Sequence, residues 1–116
     1  MELERTTEQL RVWASEFGQE YTDRNFSTTA ERDQEYSEYH GVKKSQLFRQ
    51  FLPPERIESG RVREVGSNIG LQLKILQSVN PDLKLYGLEP QSYAISRGCR
   101  LHENINFTQG NAFNIP

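Results

Sequence analysis

Val62-Arg63-Glu64-Val65-Gly66-Ser67-Asn68-Ile69-Gly70 reads as a short strand, a glycine-marked turn and the start of a helix. A chain that leaves a strand and enters a helix within so few residues aims several backbone N–H groups at one spot. Glycine there lets the backbone turn sharply and approach a ligand. Glu64 argues against a phosphate, because its carboxylate repels a pyrophosphate but accepts hydrogen bonds from hydroxyls or an ammonium. The expected ligand is polar, partly cationic and free of phosphate. By itself the Gly66-x-x-x-Gly70 spacing also fits an ordinary strand-to-helix connection.

On the C-terminal side, Leu71, Ile75, Leu76 and Val79 mark a helix, Asn80-Pro81-Asp82 breaks it, and residues 83–88 read as the next strand. Pro90 suits the first position of a further helix carrying Tyr93, Ala94, Ile95 and Leu101. Residues 104–108 read as a third strand and 109–112 as the loop after it. The alternation β-α-β-α-β with short connections predicts an α/β, Rossmann-like fold whose parallel strands run in the order 3-2-1. Ligands of open α/β sheets sit beyond the carboxyl ends of the strands, where three polar stretches converge: residues 64–70, Glu89 and Asn111. A carboxylate at Glu89 is suited to both hydroxyls of a ribose, and the amide of Asn111 to the edge of a purine. The bland readings are a strand-end acid and a turn-forming Asn after Gly110. Together these residues imply an adenosine ligand.

On the N-terminal side, Thr6 with Gln9 forms a candidate capping box, and Leu10, Trp13, Ala14, Phe17 and Tyr21 recur at helical spacing. A helix ending near Gly18 is expected, with Trp13 in the core or, alternatively, near the pocket as an aromatic shield for a bound cofactor. Residues 21–26 have no clear period and predict a structured loop, either a surface connection or a lid bringing Tyr21, Arg24 and Asn25 over a pocket. Thr28 with Glu31 opens a charge-rich helix, read as a solvated face, that Gly41 ends. Leu47, Phe48, Phe51 and Leu52 mark another, stopped by Pro53-Pro54. The chain divides into an N-terminal helical segment, 1–56, and a partial Rossmann-like half-domain, 57–116.

Composition narrows the partners. The chain has 116 residues, 34% of them hydrophobic, and a net charge of −2 with both signs mixed, which gives no electrostatic footprint for nucleic acid or an anionic membrane. A single cysteine, Cys99, excludes an internal disulfide and reads as a small hydrophobe. The first residues lack the basic and apolar regions of a signal peptide, and no apolar run nears the ~20 residues of a membrane span, so the cytoplasm is expected. His40 and His102 have no further ligand at metal spacing, and no metal site is expected.

Glu64-x-Gly66-x-x-x-Gly70 resembles motif I of the class I S-adenosylmethionine-dependent methyltransferases. Leu85-Tyr86-Gly87-Leu88-Glu89-Pro90 is similar to their second motif, and Gly110-Asn111-Ala112-Phe113-Asn114-Ile115-Pro116 to their third. Upstream, Trp13-x-x-x-Phe17-Gly18-x-x-Tyr21-Thr22-x-Arg24-Asn25 resembles the start of a small subgroup associated with sugar and pseudaminic acid biosynthesis. The resemblance implies S-adenosylmethionine as cofactor. Glu64, Gly66, Ser67, Asn68 and Gly70 would wrap its methionine end, Glu89 with Pro90 would hold the ribose, and Asn111 with Ala112 would lie along adenine. It also implies methyl transfer to a small-molecule, sugar-related acceptor, a reaction that needs mainly positioning and exclusion of water. Asn68 departs from the usual glycine, Asn111 from the usual acid, and Arg63 from the usual apolar residue; no general base is evident.

The family's sheet has seven strands and three are found here, so a truncated methyltransferase fold is expected. Its first strand, 61–65, would be an exposed edge, which predicts a homo-oligomer pairing through that strand. The alternative to an enzyme is a catalytically incomplete cofactor-binding or structural fragment that self-associates.

Overall fold

The computed structural model describes residues 6–25, 27–56 and 60–116. In chain order they form α1 (Glu8–Trp13), α2 (Glu16–Arg24), α3 (Thr29–His40), α4 (Lys44–Phe51), β1 (Arg61–Val65), α5 (Leu71–Val79), β2 (Lys84–Glu89), α6 (Ser92–Leu101) and β3 (Ile105–Gln109). The expected boundary between residues 56 and 57 adjoins residues 57–59, outside the described ones.

The three strands form one parallel sheet in the order β1-β2-β3, the sequence-derived 3-2-1 read from its other edge. Val62 pairs with Leu85 and Leu85 with Ile105, so these three side chains share a face. Against that face Leu73, Leu76, Leu83, Leu85 and Ile105 make the buried core, with Phe48, Leu52, Val62 and Phe107 packed on it. The opposite face carries Arg61, Arg63, Lys84, Asn106 and Thr108, all exposed, and the buried Leu88 near its carboxyl edge. The main core cluster thus lies on one side of the sheet, and the carboxyl ends of β1 and β2 bring Glu64 and Glu89 out on that same side.

The N-terminal helices depart from the sequence reading in ways that matter for the site. The first is capped by Thr7, not Thr6, whose hydroxyl accepts the Leu10 N–H at 3.2 Å. It ends at Trp13, and Ser15 is the N-cap of a separate helix. Gly18 does not end a helix but lies inside α2, buried, where a Cβ would overlap the Trp13 carbonyl oxygen and crowd Gln91 Nε2. Residues 21–24, expected in a loop, complete α2. That turn lacks an aliphatic stripe and is held by polar contacts: Asp23 accepts from the Tyr93 hydroxyl at 2.6 Å and pairs with Arg97. Trp13 is not core. It is 39% exposed, and its ring meets those of Phe17 and Tyr21 edge-on.

Other signals correspond closely. The Thr28 hydroxyl accepts from Glu31 N–H, and Gly41 ends α3 in the left-handed conformation. The last helix begins at Ser92 with Gln91 as N-cap, so Pro90 stands outside it rather than at its first position.

Candidate functional site

The turn after β1 contains three left-handed residues, Gly66 (φ 78°), Asn68 (φ 50°) and Gly70 (φ 88°). Two are glycine because the left-handed region carries no steric cost for it; asparagine is among the few side chains that tolerate it. The N–H groups, however, are not bared toward a ligand as the sequence suggested. Gly66 and Ser67 donate to the Leu88 carbonyl at 2.7 and 3.2 Å, and Gly70 donates to Ser67 O at 2.9 Å. Asn68 N–H donates to Glu89 Oε1 and Ile69 N–H to Asn68 Oδ1, both at 2.9 Å. With all five donors engaged, the turn has no nest for a phosphate. It offers close backbone surface instead: a Cβ on Gly66 would meet nothing within 4 Å, leaving that approach open.

Glu89 sits at the end of β2, 6% exposed. Its Oε2 accepts Gln91 N–H at 2.8 Å, while Oε1 holds the turn. Desolvation pushes its pKa up, and the two N–H donors pull it back down. Asn68 Nδ2 then donates to Thr22 Oγ1 at 3.1 Å, and Thr22 Oγ1 donates to Gln91 Oε1 at 2.9 Å. These four bonds close a ring from β2 through the turn and α2 to the start of α6, and back to β2. Gln91 Nε2 adds a bond to Trp13 O at 2.7 Å, tying α1 to the same ring. Asn68 is therefore the residue that joins the turn to α2.

Above the ring lies a cavity of about 520 Å³, a volume ordinary for small-molecule sites. Glu64, Gly66, Ser67, Asn68, Glu89 and Pro90 line it, with Tyr21 and Asn25 from the N-terminal helices. Gly70 does not line it; it is buried under Ile105 and Phe107 and shapes the turn from beneath. Arg24 is exposed and outside the lining, so only two of the three expected lid residues face the cavity. Burial raises the Glu64 pKa to about 7, against the pull of Gln72 and Lys44 and with a further push from Glu89.

Asn111 opens instead onto an adjoining cavity of about 470 Å³ that shares Pro90 with the first and is otherwise lined by residues including Leu10, Ala14 and Gly110. Its Oδ1 accepts Phe113 N–H at 2.9 Å, the turn-forming role named above as the bland alternative. Ala112 is exposed and lines neither cavity.

Sequence reasoning missed Thr22, Gln91, Arg32, Lys44 and Gln72; Trp13 lines the cavity, the alternative to its expected place in the core. Gln91 carried one signal, its place directly after Glu89-Pro90, where an N-cap side chain turns back on the strand end. No group of three or more His, Cys, Asp or Glu suited to a metal ion occurs among the described residues, and no helix among them is long and apolar enough to cross a membrane.

No family model and no characterised protein matches the sequence. In three dimensions the chain is similar to the plantazolicin methyltransferase BpumL, solved with a monoazolic desmethylPZN analog and S-adenosylhomocysteine (SAH), at TM-score 0.58 and 16% identity over 93% of this chain. The two share one Rossmann-like fold. A Staphylococcus aureus protein described as a caffeoyl-CoA O-methyltransferase shares it at TM-score 0.53 and 16% identity over 84% of this chain. This chain spans 40% of the first of those proteins and 51% of the second. In this Rossmann-like fold the cavity lies where open α/β sheets take ligands, beyond the carboxyl ends of β1 and β2.

Proposed function

We propose that this chain binds S-adenosylmethionine and is the cofactor-binding part of a methyltransferase acting on a small-molecule, sugar-related acceptor. The carrying observation is that Glu64 and Glu89 line one cavity beside a turn whose N–H groups from Gly66 to Gly70 all have internal acceptors. Two acids and no free anion nest suit an adenosyl sulfonium and disfavour a nucleotide phosphate. Each Glu89 oxygen holds one N–H and keeps a lone pair for a ribose hydroxyl. The aromatic faces of Trp13 and Tyr21 on the same cavity favour a sulfonium cation. Glu64 faces the amino group of the methionine end, Pro90 and Gly66 provide close surface, and the adjoining cavity under Asn111 receives the adenine. The cofactor supplies an activated methyl group; the chain's part is to hold it and exclude water from it.

Support for the sugar-related acceptor is the resemblance around Trp13 to Asn25. The exposed Cys99 fits a reducing compartment, the cytoplasm. A second copy of the chain is the expected partner at β1, which pairs only with β2 among the described residues and is thus an edge. A two-fold pairing there predicts a dimer in light scattering at micromolar concentration, and a strictly monomeric particle would remove the oligomer from the proposal.

Calorimetric titration with SAH tests the cofactor. Binding by the wild-type chain, and a loss of about tenfold or more in Glu89→Ala, is expected. Unchanged affinity in that variant would refute the ribose role of Glu89. SAH binding without methyl transfer from labelled cofactor to any sugar acceptor would leave the alternative, cofactor binding without catalysis.

A further inference from the structure

Two elements of the fold are left without a partner, and their charges are opposite. The first is the outer face of the sheet. Parallel sheets are almost always covered on both faces, yet here Arg61, Arg63, Lys84, Asn106 and Thr108 are all exposed on one of them. Arg61 stands directly opposite Lys84 in the register of β1 and β2, with Arg63 two residues further along the same face. Like charges set opposite each other across two strands repel. The strands supply no acid to this face, and none of the three cations takes part in an ion pair among the described residues. Arg63 donates to the Pro116 carbonyl.

The second element is α3. None of its 12 residues is buried, and it rests on α4 and α5. Glu31, Glu35 and Glu38 follow at i, i+4 and i+7, so they share one stripe of the helix, and all three are exposed. Glu31 and Glu35, one turn apart, repel each other. Among the described residues Arg32 is the stripe's only ion-pair partner; it meets Glu35 at 3.9 Å and gives its shorter bond, 2.6 Å, to the Asn25 carbonyl. Tyr39, next to Glu38, is 86% exposed. A helix with so little buried is of the kind that bridges between separate bodies.

The two patterns also match in size. At 1.5 Å per residue, Glu31 to Glu38 covers about 10 Å. On the sheet, Arg61 to Arg63 covers about 7 Å along the strand, and Arg61 to Lys84 about 5 Å across it. Three acids on a rod thus face three cations on a plane, within the reach of arginine and lysine side chains.

We infer that the acidic stripe of α3 in one copy of the chain docks on the cationic sheet face of another copy. Within a copy, α3 lies on the core side of the sheet and the cations on the other side. The contact is therefore head-to-tail: it does not close in a pair, and it builds a ring or an open row of copies. Pairing of two β1 strands is a different contact, made by backbone groups at the sheet edge and closed as a dimer. Exposed ion pairs are individually weak and screened by salt, so the head-to-tail assembly grows with protein concentration and dissolves as ionic strength rises.

Sedimentation velocity over a range of protein concentrations, in about 0.05 M and about 0.5 M salt, tests the contact. Wild type should form species larger than a dimer at low salt, with association about tenfold or more weaker at high salt. Arg61→Glu with Lys84→Glu reverses the sheet face, and Glu35→Lys with Glu38→Lys reverses the stripe. All four positions are exposed, and circular dichroism checks that the fold is kept. Each variant alone should lose the larger species. An equimolar mixture of the two should regain them, because every face then finds a stripe of opposite charge; so should a single chain carrying all four substitutions. Rescue of this kind is not open to a variant that has merely misfolded. A wild type that never exceeds a dimer at low salt overturns the inference. So do charge-reversed variants that assemble as well as wild type, or a mixture that remains as small as its components. The strand-edge pairing is read separately: variants that lose the larger species stay dimeric if β1 strands pair and become monomeric if they do not.

Discussion

Thr22 Oγ1 lies 2.9 Å from Gln91 Oε1, and both residues are almost fully buried although 69 positions apart in sequence. That bond is one of two in the hydrogen-bonded ring that join α2 to the sheet side, the other running from Asn68, and through Gln91 it bears on Glu89. Buried amides have no water to fall back on, so the ring acts as a latch with a large cost for partial opening.

Thr22→Val keeps the volume but deprives Gln91 Oε1 of its donor and Asn68 Nδ2 of its acceptor. Urea unfolding should register a loss of about 2 kcal/mol or more, since each stranded buried group costs about 1–3 kcal/mol. Thr22→Ser retains the hydroxyl and should lie within about 1 kcal/mol of wild type. A valine variant as stable as the serine one would mean that the ring contributes nothing.

At Gly18 two effects have opposite signs, which makes the outcome informative. Alanine inside an exposed helix is better than glycine by about 1 kcal/mol. Here its Cβ would overlap the Trp13 carbonyl oxygen and press on Gln91 Nε2, both fixed by the same hydrogen bond. Gly18→Ala should therefore lower the thermal midpoint, by an amount equivalent to about 1–3 kcal/mol. A raised midpoint would show that α1 and α2 are not packed in this way.

These helices are also where the sequence was least legible. The parallel unit from Arg61 to Gln109 announced itself because strands and helices there bury aliphatic side chains, and periodicity records apolar burial. The Trp13, Phe17 and Tyr21 stripe has the same period, yet all three rings stay partly exposed, Trp13 and Tyr21 along a polar cavity, so an accurate pattern led to a wrong burial. Residues 21–24 were read as loop because Thr22 and Asp23 hold their helix by hydrogen bonds, and no hydrophobic pattern reports those. Arg32 was lost in a charge-rich stretch that reads as solvated surface, and Lys44 at the start of the next helix, where only the apolar positions were read. Glu64 and Glu89 stand out in the sequence as acids at strand ends and both line the cavity, whereas Asn111, singled out for its amide, opens onto the adjoining one with its amide oxygen accepting within its own turn.

His102 is buried at the end of α6 with no partner for Nε2 among the described residues, and burial, with a push from Lys74, holds its pKa below the ordinary histidine value. A base with a depressed folded pKa stabilises the fold above its unfolded pKa and loses that contribution as the pH falls. Stability attributable to this residue should decline on acidification below about pH 6.5. In His40→Gln protein, the remaining imidazole signal followed by NMR should titrate below the unperturbed value; titration at or above it would contradict the burial.

Glu64 carries the opposite sign. Desolvation lifts its pKa to about 7 from an ordinary 4.5, so the folded state holds a proton that the unfolded chain releases between those two values. Its contribution is fully present below about pH 4.5, fades as the pH rises through 7, and is absent above it. Allowing for screening on the side open to the cavity, the penalty at pH 8 is on the order of 1–2 kcal/mol. Glu64→Gln should then raise the thermal midpoint at pH 8 and leave it almost unchanged at pH 4.5. The same proton couples to ligand binding. An ammonium against Glu64 needs the ionised acid, so SAH should bind more tightly as the pH rises from about 5.5 to 7.5, with proton release near pH 6. Calorimetry in buffers of different ionisation enthalpy measures that release. Its absence in wild type, or its persistence in Glu64→Gln, would show that the cavity's acid and the ligand's amine do not meet.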